Sequence, residues 1–272
     1  MPANPAVDFL APLFVPGNRP DRFAKAAASG ADGVILDLED AVAAGDKDSA
    51  RNTIATSPLP ANAMVRINAH GTHWFDQDVH AVSKLKIGSV MVPKAESAER
   101  IRTMRNALGA LPVIALIESA EGVANVREIA RAADRLAFGY IDFSADVGCS
   151  MDKHALLFAR SEIVLASRLA KLHPPLEGVT PSFDDPQLVE DDSRYSASLG
   201  FGGKLCIHPK QIAPVLAGFR PPQKDIDWAA KIANSGDGAV SVDGMMVDAP
   251  VRLRAARILA AAKACDAASR TA

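Results

Sequence analysis

Short apolar runs that end in polar residues or glycine alternate along the chain with longer, Ala-rich stretches of helical period. The runs are FLAPLFVPG (9–17), GVILDLED (33–40), AMVRINAHG (63–71), SVMVPKAES (89–97), PVIALIESAEG (112–122), RLAFGYIDFS (135–144), LEGVTPS (176–182) and GKLCIHPKQ (203–211). Between them lie PDRFAKAAASG, SAERIRTMRNALG, GVANVREIARAA and DKHALLFARSEIVLASRLAKLH. In the third of these, Val123, Val126, Ile129 and Ala130 recur at helical spacing, while Arg127, Glu128 and Arg131 take the opposite face. Gly30, Gly109 and Gly200 stand where helix C-caps belong.

Eight run-and-helix units predict parallel βα repeats, and a closed (β/α)8 TIM barrel takes ~250 residues. The rival is an open doubly wound sheet, but no GxGxxG turn follows the first run. The barrel is predicted over residues 1–220 and a C-terminal lid or oligomerisation extension over 221–272. That extension carries a strand-like piece, a turn at Asp243-Gly244 and a closing helix from near Pro250. The apolar stripe of this helix (Val251, Ile258, Leu259, Ala262) needs a surface to cover. A neighbouring protomer in a cyclic assembly can supply one, so a homo-oligomer is expected, a trimer or a hexamer.

Composition narrows the class. Of 272 residues, 49% are apolar and 23% charged, with a net charge of -2 and no long block of one sign. Neither a nucleic-acid groove nor a polybasic membrane patch is expected. Three widely spaced cysteines exclude a disulfide framework and point to a reducing cytoplasm. No apolar run approaches the ~18 residues of a membrane span, and the first residues lack the pattern of a signal peptide. A soluble cytoplasmic protein is expected.

The polar ends of the runs hold the candidate chemistry. Asp37, Glu39 and Asp40 close the second run, Arg66 and Asn68 the third, Lys94 the fourth, Glu118 the fifth, Asp142 the sixth and His208 the eighth. Three carboxylates at the end of one buried strand repel each other and lose hydration. A barrel explains them, because its active site lies at the C-terminal ends of its strands. Glu118 and Asp142, on adjacent strands, are either solvated rim acids or two ligands of a divalent cation. Oxygen ligands without His or Cys favour Mg²⁺ or Mn²⁺. Arg66 either pairs with the acids of the second strand or holds a substrate carboxylate or carbonyl. Lys94 and His208 read as structural, Cys149 and Cys206 as small core residues.

The segments LFVPGNRPDRFAKAAASGADGVILDLEDAV, VRINAHGTHWFDQDV, VMVPKAES, LIESAEGV, FGYIDFSADVG, GFGGKLCIHPKQI and VDGMMVDAP together resemble the citrate lyase β-subunit-like family within the wider HpcH/HpaI aldolase group. The resemblance implies a Mg²⁺-dependent carbon–carbon lyase on a barrel. Its substrates would be 3-hydroxyacyl thioesters (malyl-, citramalyl- or citryl-) carried by CoA or an acyl carrier protein, with a 2-oxo acid as the other reactant. By the same resemblance Glu118 and Asp142 match the metal ligands, and Arg66 the arginine that grips the oxo acid or thioester carbonyl. Asp248 matches an acid–base aspartate supplied by a neighbouring subunit, and the segment around Leu205 and Cys206 resembles backbone lining the CoA path. Asp37, Glu39 and Asp40 would then shape the rim and support the metal through water. Ile141 departs from the family pattern, which has an acid before the aspartate. Rival readings are a metal-dependent aldolase acting on 2-oxo acids, an acyl-CoA thioester hydrolase and a non-catalytic acyl-thioester-binding subunit.

Overall fold

All four residues of VILD are buried in β2 (Val34–Asp37), as are those of β3 (Ala63–Arg66), β4 (Ser89–Val92), β5 (Val113–Ile117) and β6 (Arg135–Phe138). Strands covered on both faces read as continuous apolar runs and pair in parallel. With β1 (Leu13–Pro16) they form a six-stranded parallel sheet in the order β1 to β6. The structure, a computed structural model, describes residues 4–235, 240–242 and 245–268.

The seventh and eighth runs differ from expectation: each makes single parallel bridges, not a strand. Ala137 pairs with Leu176, Glu177 with Lys204, and Leu13 with Cys206. The bonds are well formed, from Phe138 N–H to Leu176 O (2.9 Å), Leu205 N–H to Glu177 O (2.9 Å) and Phe14 N–H to Cys206 O (2.9 Å). Close backbone approach explains the brevity of these segments. A Cβ on Gly178 would sit 2.6 Å from the Phe138 carbonyl, and one on Gly203 2.6 Å from that of Phe9.

Helices follow the strands. They are α1 (Phe23–Ala27), α2 (Lys47–Thr56), α3 (Phe75–Val82), α4 (Ala98–Leu108), α5 (Ala120–Ala124) and α6 (Val126–Ala130), then α7 (Tyr140–Val147), α8 (Leu157–Leu169), α9 (Pro186–Leu199) and α10 (Ile212–Phe219). Asn125 divides GVANVREIARAA into α5 and α6, yet Val123, Val126, Ile129 and Ala130 are buried as their period predicts. Gly109 and Gly200 cap α4 and α9 at positive φ, whereas α1 is capped by Ala28 and Gly30 lies beyond it. FGYIDFS is not a single strand: α7 begins two residues after β6, so Asp142 lies in a first helical turn.

Side chains alternate across the sheet and sort into two cores. Ile35, Met64, Met91, Ile114, Leu116 and Ala137 share one face with Leu176 and Leu205. Leu36, Val65, Val90, Val113 and Leu136 pack on the other, against the helices. Two-residue periodicity therefore carries Asp37 on from Ile35, Arg66 from Met64 and Glu118 from Leu116, all on the first face. At the opposite end Arg135 is fully buried and donates to the carbonyls of Val7 (2.6 Å), Phe9 (2.9 Å), Pro174 (2.8 Å) and Gly202 (3.2 Å). Burial pushes its pKa down to about 10, with Asp8 and Asp32 opposing the fall.

The tail holds α11 (Gln223–Ala233), which the sequence reading passed over, an antiparallel pair of β7 (Val240–Val242) and β8 (Met245–Val247), and α12 (Ala249–Ala268). The turn expected at Asp243-Gly244 lies outside the described residues. The stripe of α12 is partly covered within the chain: Val251, Ile258 and Leu259, half-buried, pack with Trp228, Ala229 and Ile232 of α11. Further along, Cys265 and Ala268 join the main core. Among the described residues no helix is long and apolar enough to cross a membrane.

Candidate functional site

The acid-rich turn after β2 is organised by Arg66. Asp37 and Arg66 are register partners across β2 and β3. Arg66 Nε and Nη2 donate to the two oxygens of Asp37 at 2.7 Å each, the planar fork meeting a carboxylate edge to edge. Its Nη1 lies 3.0 Å from Glu39 Oε2 and donates at 3.4 Å to Asp40, and its guanidinium stacks 4.7 Å over Phe14. Asp37 also accepts from the N–H groups of Glu39 and Ala41 at 2.9 Å, which folds the turn around it. Burial opposes the charge on Arg66, but Asp37, then Glu39 and Asp40, outweigh it and raise its pKa.

A second network beneath this turn escaped the sequence reading. Lys47, at the start of α2, is buried, and its ammonium donates to the carbonyls of Leu38 (2.9 Å) and Glu39 (2.8 Å) and to Asn68 Oδ1 (2.6 Å). Asn68 is held in turn by Asp78, which accepts from both its backbone N–H and its side-chain amide and pairs with Arg51. All three ammonium protons of Lys47 are thus used, which marks it as a clamp rather than a base.

Glu118 is buried at the end of β5. Its Oε1 accepts the Lys94 N–H at 2.7 Å, an alignment reached because Lys94 adopts φ +46°, uncommon for a residue with a side chain. Its Oε2 lies against Gly139, where a Cβ would sit only 2.6 Å away, and no described residue donates to it. Asp142 is exposed and likewise accepts no hydrogen bond from the described residues. Burial, with Glu39 and Asp142 adding to it and the Lys94 N–H and Arg66 opposing, raises the Glu118 pKa to about 8. Glu39 rises to about 7, also chiefly by burial, with Arg66 pulling down and Asp40 and Asp37 pushing up.

The cluster fits a divalent cation. Glu39 and Glu118 feel the carboxylates of Asp37, Asp40 and Asp142 on one side and the cations Arg66 and Lys94 on the other. Glu39 Oε2 is buried and, despite its nearness to Arg66, receives no hydrogen bond. The donor set is all oxygen, which suits a hard cation. Among the described residues no three His, Cys, Asp or Glu side chains are grouped to hold a metal by themselves. A cation at Glu118 and Asp142 would therefore keep positions for water or substrate, as Mg²⁺ commonly does.

Other expected residues lie apart from this cluster. Asp248 is exposed and caps α12, accepting the Val251 N–H at 3.1 Å. The side chains of Leu205 and Cys206 are buried, and their N–H groups are bonded to the carbonyls of Glu177 and Pro12. His208 stacks on Phe183 and accepts the Lys210 N–H, a structural role.

A parallel α/β fold with acids gathered around one arginine at the strand ends defines the class. Residues 10–209 match the HpcH/HpaI aldolase/citrate lyase family, and the chain belongs to it. A citrate lyase subunit beta-like protein of Mycobacterium tuberculosis is 39% identical over 264 residues, covering 91% of this chain and 93% of the relative. A (3S)-malyl-CoA thioesterase of Cereibacter sphaeroides is 30% identical over 282 residues, covering 97% and 98%. The crystal structure of Mycobacterium tuberculosis CitE in complex with magnesium, acetoacetate and coenzyme A superposes with a TM-score of 0.84 at 36% identity, covering 95% of this chain and 99% of that one.

Proposed function

We propose that the protein is a Mg²⁺-dependent carbon–carbon lyase that cleaves, or in reverse forms, a 3-hydroxyacyl thioester such as malyl-, citramalyl- or citryl-CoA. The observation that carries this reading is the buried Glu118 carboxylate, which feels the charges of Glu39 and Asp142 and whose Oε2, like the buried Oε2 of Glu39, receives no hydrogen bond from the described residues. Similarity to proteins crystallised with magnesium, coenzyme A and small oxo acids supports it. Mn²⁺ would serve in place of Mg²⁺. The scaffold we propose is a closed (β/α)8 barrel over 1–220, supported by the bridges from β6 through Leu176, Glu177 and Lys204 to Cys206 and β1.

Glu118 and Asp142 would hold the metal, which would supply Lewis acidity toward the hydroxy-acid oxygens. Asp37 holds the Arg66 fork, leaving Nη1, which lies beside Glu39 and makes a long contact with Asp40, as the edge that takes a substrate oxygen in place of Asp40. Arg66 thereby steadies the thioester enolate released when the carbon–carbon bond breaks. Asp37, Glu39 and Asp40 keep that arginine oriented and shape the rim. Asp248 returns a proton to the enolate carbon. Because it is exposed at the start of α12, we place it over the mouth of a neighbouring subunit in a homo-oligomer, a trimer or a hexamer. The tail from 221 to 272 acts as lid and contact. The thioester enters past the segment of Leu205 and Cys206.

Thioester hydrolysis is a second reading, favoured by the 30% identity to a malyl-CoA thioesterase. Product analysis separates the two. Purified protein, Mg²⁺ and a panel of 3-hydroxyacyl-CoA esters should yield a 2-oxo acid in step with a shortened acyl-CoA and no free thiol. Free CoA thiol without oxo acid would establish hydrolysis instead.

A further inference from the structure

We propose that Asp146 is a positioning residue that fixes the distance between the two metal-binding carboxylates; this rests on the assignment of Glu118 and Asp142 as the metal site. Glu118 is anchored directly, through Oε1, to the Lys94 N–H. Asp142 has no such anchor, so its carboxylate goes wherever α7 goes. Several contacts hold α7: at its start the Gly139 N–H donates to the Ile117 carbonyl at 2.8 Å, and Phe143 packs in the main core beside Phe138. At its first residue, Tyr140 donates through its hydroxyl to the Val179 carbonyl at 2.7 Å, and its ring lies 5.2 Å from the Arg160 guanidinium. One helical turn beyond Asp142, Asp146 Oδ2 accepts the Ala120 N–H at 2.7 Å.

The last of these contacts sets the site. Ala120 is two residues past Glu118, at the start of α5. Its N–H is among the first of that helix, which have no intrahelical acceptor. This hydrogen bond and the one from the Gly139 N–H to the Ile117 carbonyl tie the segment that carries Glu118 to the two ends of the helix that carries Asp142. Tyr140 and Gly139 pin the start of α7 to the segment beyond β6 and to β5, and Asp146 fixes its far end against the turn after Glu118. Asp146 is itself exposed, so its removal leaves the buried cores intact. A purely structural reading gives Asp146 the role of capping α5, with an effect on stability alone. A positioning role adds an effect on metal affinity, because residues that orient metal ligands typically alter affinity by ~10-fold or more.

The experiment is calorimetric titration of Mg²⁺ into the full chain and into Asp146→Ala, Asp146→Asn and Glu118→Gln, with melting temperatures recorded for each. Asp146→Ala should bind Mg²⁺ roughly 10-fold more weakly with little change in melting temperature. Asp146→Asn, whose amide oxygen can accept the same N–H, should bind as the unaltered chain does. Glu118→Gln should lose binding. Equal affinity in Asp146→Ala and the unaltered chain overturns the positioning role while leaving the metal site standing. Equal weakening in the Ala and Asn variants overturns it in favour of a charge effect, and loss of the fold in Asp146→Ala overturns it in favour of a structural one. If the unaltered chain binds no Mg²⁺, both this assignment and the metal site fail.

Discussion

Asp37 and Arg66 stand opposite each other in the β2–β3 register and share two parallel hydrogen bonds of 2.7 Å. Each follows, two residues on, a side chain in the same core layer, Ile35 and Met64. The acids at the end of VILDLED are there because an arginine ends the next strand on the same face. Asp37 neutralises that arginine and folds the turn, which brings Glu39 and Asp40 to the remaining edge of the guanidinium. The fork is therefore preset before any ligand arrives.

Breaking this pair should be costly. Asp37→Ala leaves a largely buried guanidinium without its main partner and the Glu39 and Ala41 N–H groups without their acceptor. A loss of about 3–5 kcal/mol is expected, measured by urea unfolding. Arg66→Lys keeps the charge but not the fork, so it should lower stability as well as turnover. A lysine variant as stable as the parent would show that the bidentate geometry contributes little.

Lys47→Met keeps length and apolar contact but leaves the carbonyls of Leu38 and Glu39 and the Asn68 oxygen without their donor. Each buried unmet acceptor costs about 1–3 kcal/mol. A destabilisation of roughly 3 kcal/mol or more is therefore expected by chemical denaturation. A change below roughly 0.5 kcal/mol, the scale of an ordinary surface substitution, would mean that water replaces the ammonium.

Arg135→Met tests the opposite end of the sheet. Four carbonyls from three chain segments lose one shared donor, and a destabilisation of about 3 kcal/mol is expected. Proteolysis near Pro174 and Gly202 should quicken, because those segments are tied to β6 through this side chain. Unchanged cleavage there would assign Arg135 no role in holding them.

Metal binding should depend on pH in a defined direction. Burial, then Glu39, keep the Glu118 carboxyl protonated up to about 8 in the metal-free protein. At neutral pH a cation must displace that proton, so Mg²⁺ affinity should rise with pH through 7 and level off above about 8. The folded state holds this proton longer than the unfolded chain, so the metal-free protein should lose stability as pH rises from the ordinary carboxyl range toward 8. Calorimetry in buffers of different ionisation enthalpy counts the released proton. PH-independent affinity between 6 and 8 would contradict an initially protonated Glu118.

Much of this was legible in the sequence, for identifiable reasons. Continuous apolar runs marked β2 to β6, and the polar residues closing them marked Asp37, Arg66 and Glu118. LEGVTPS and GKLCIHPKQ looked equally strand-like, but their glycines serve close backbone contact and the pairing shrinks to bridges. Asp142 looked like a strand end because the apolar run continues past Gly139, whereas the helix starts at Tyr140. Lys47 and Arg135 gave no local signal. Their importance comes from carbonyls distant in sequence, and a charged side chain at an element boundary ordinarily reads as solvated. The apolar face of α12 was visible, but its cover, α11, was not recognised as a helix.

The most direct test of the metal site is anomalous diffraction from crystals soaked in Mn²⁺. A single strong peak is expected with one oxygen of Glu118 and one of Asp142 within about 2.2 Å, the remaining positions filled by water or an added oxo acid. A peak bonded elsewhere, or none at a Mn²⁺ concentration that supports turnover, would contradict the assignment.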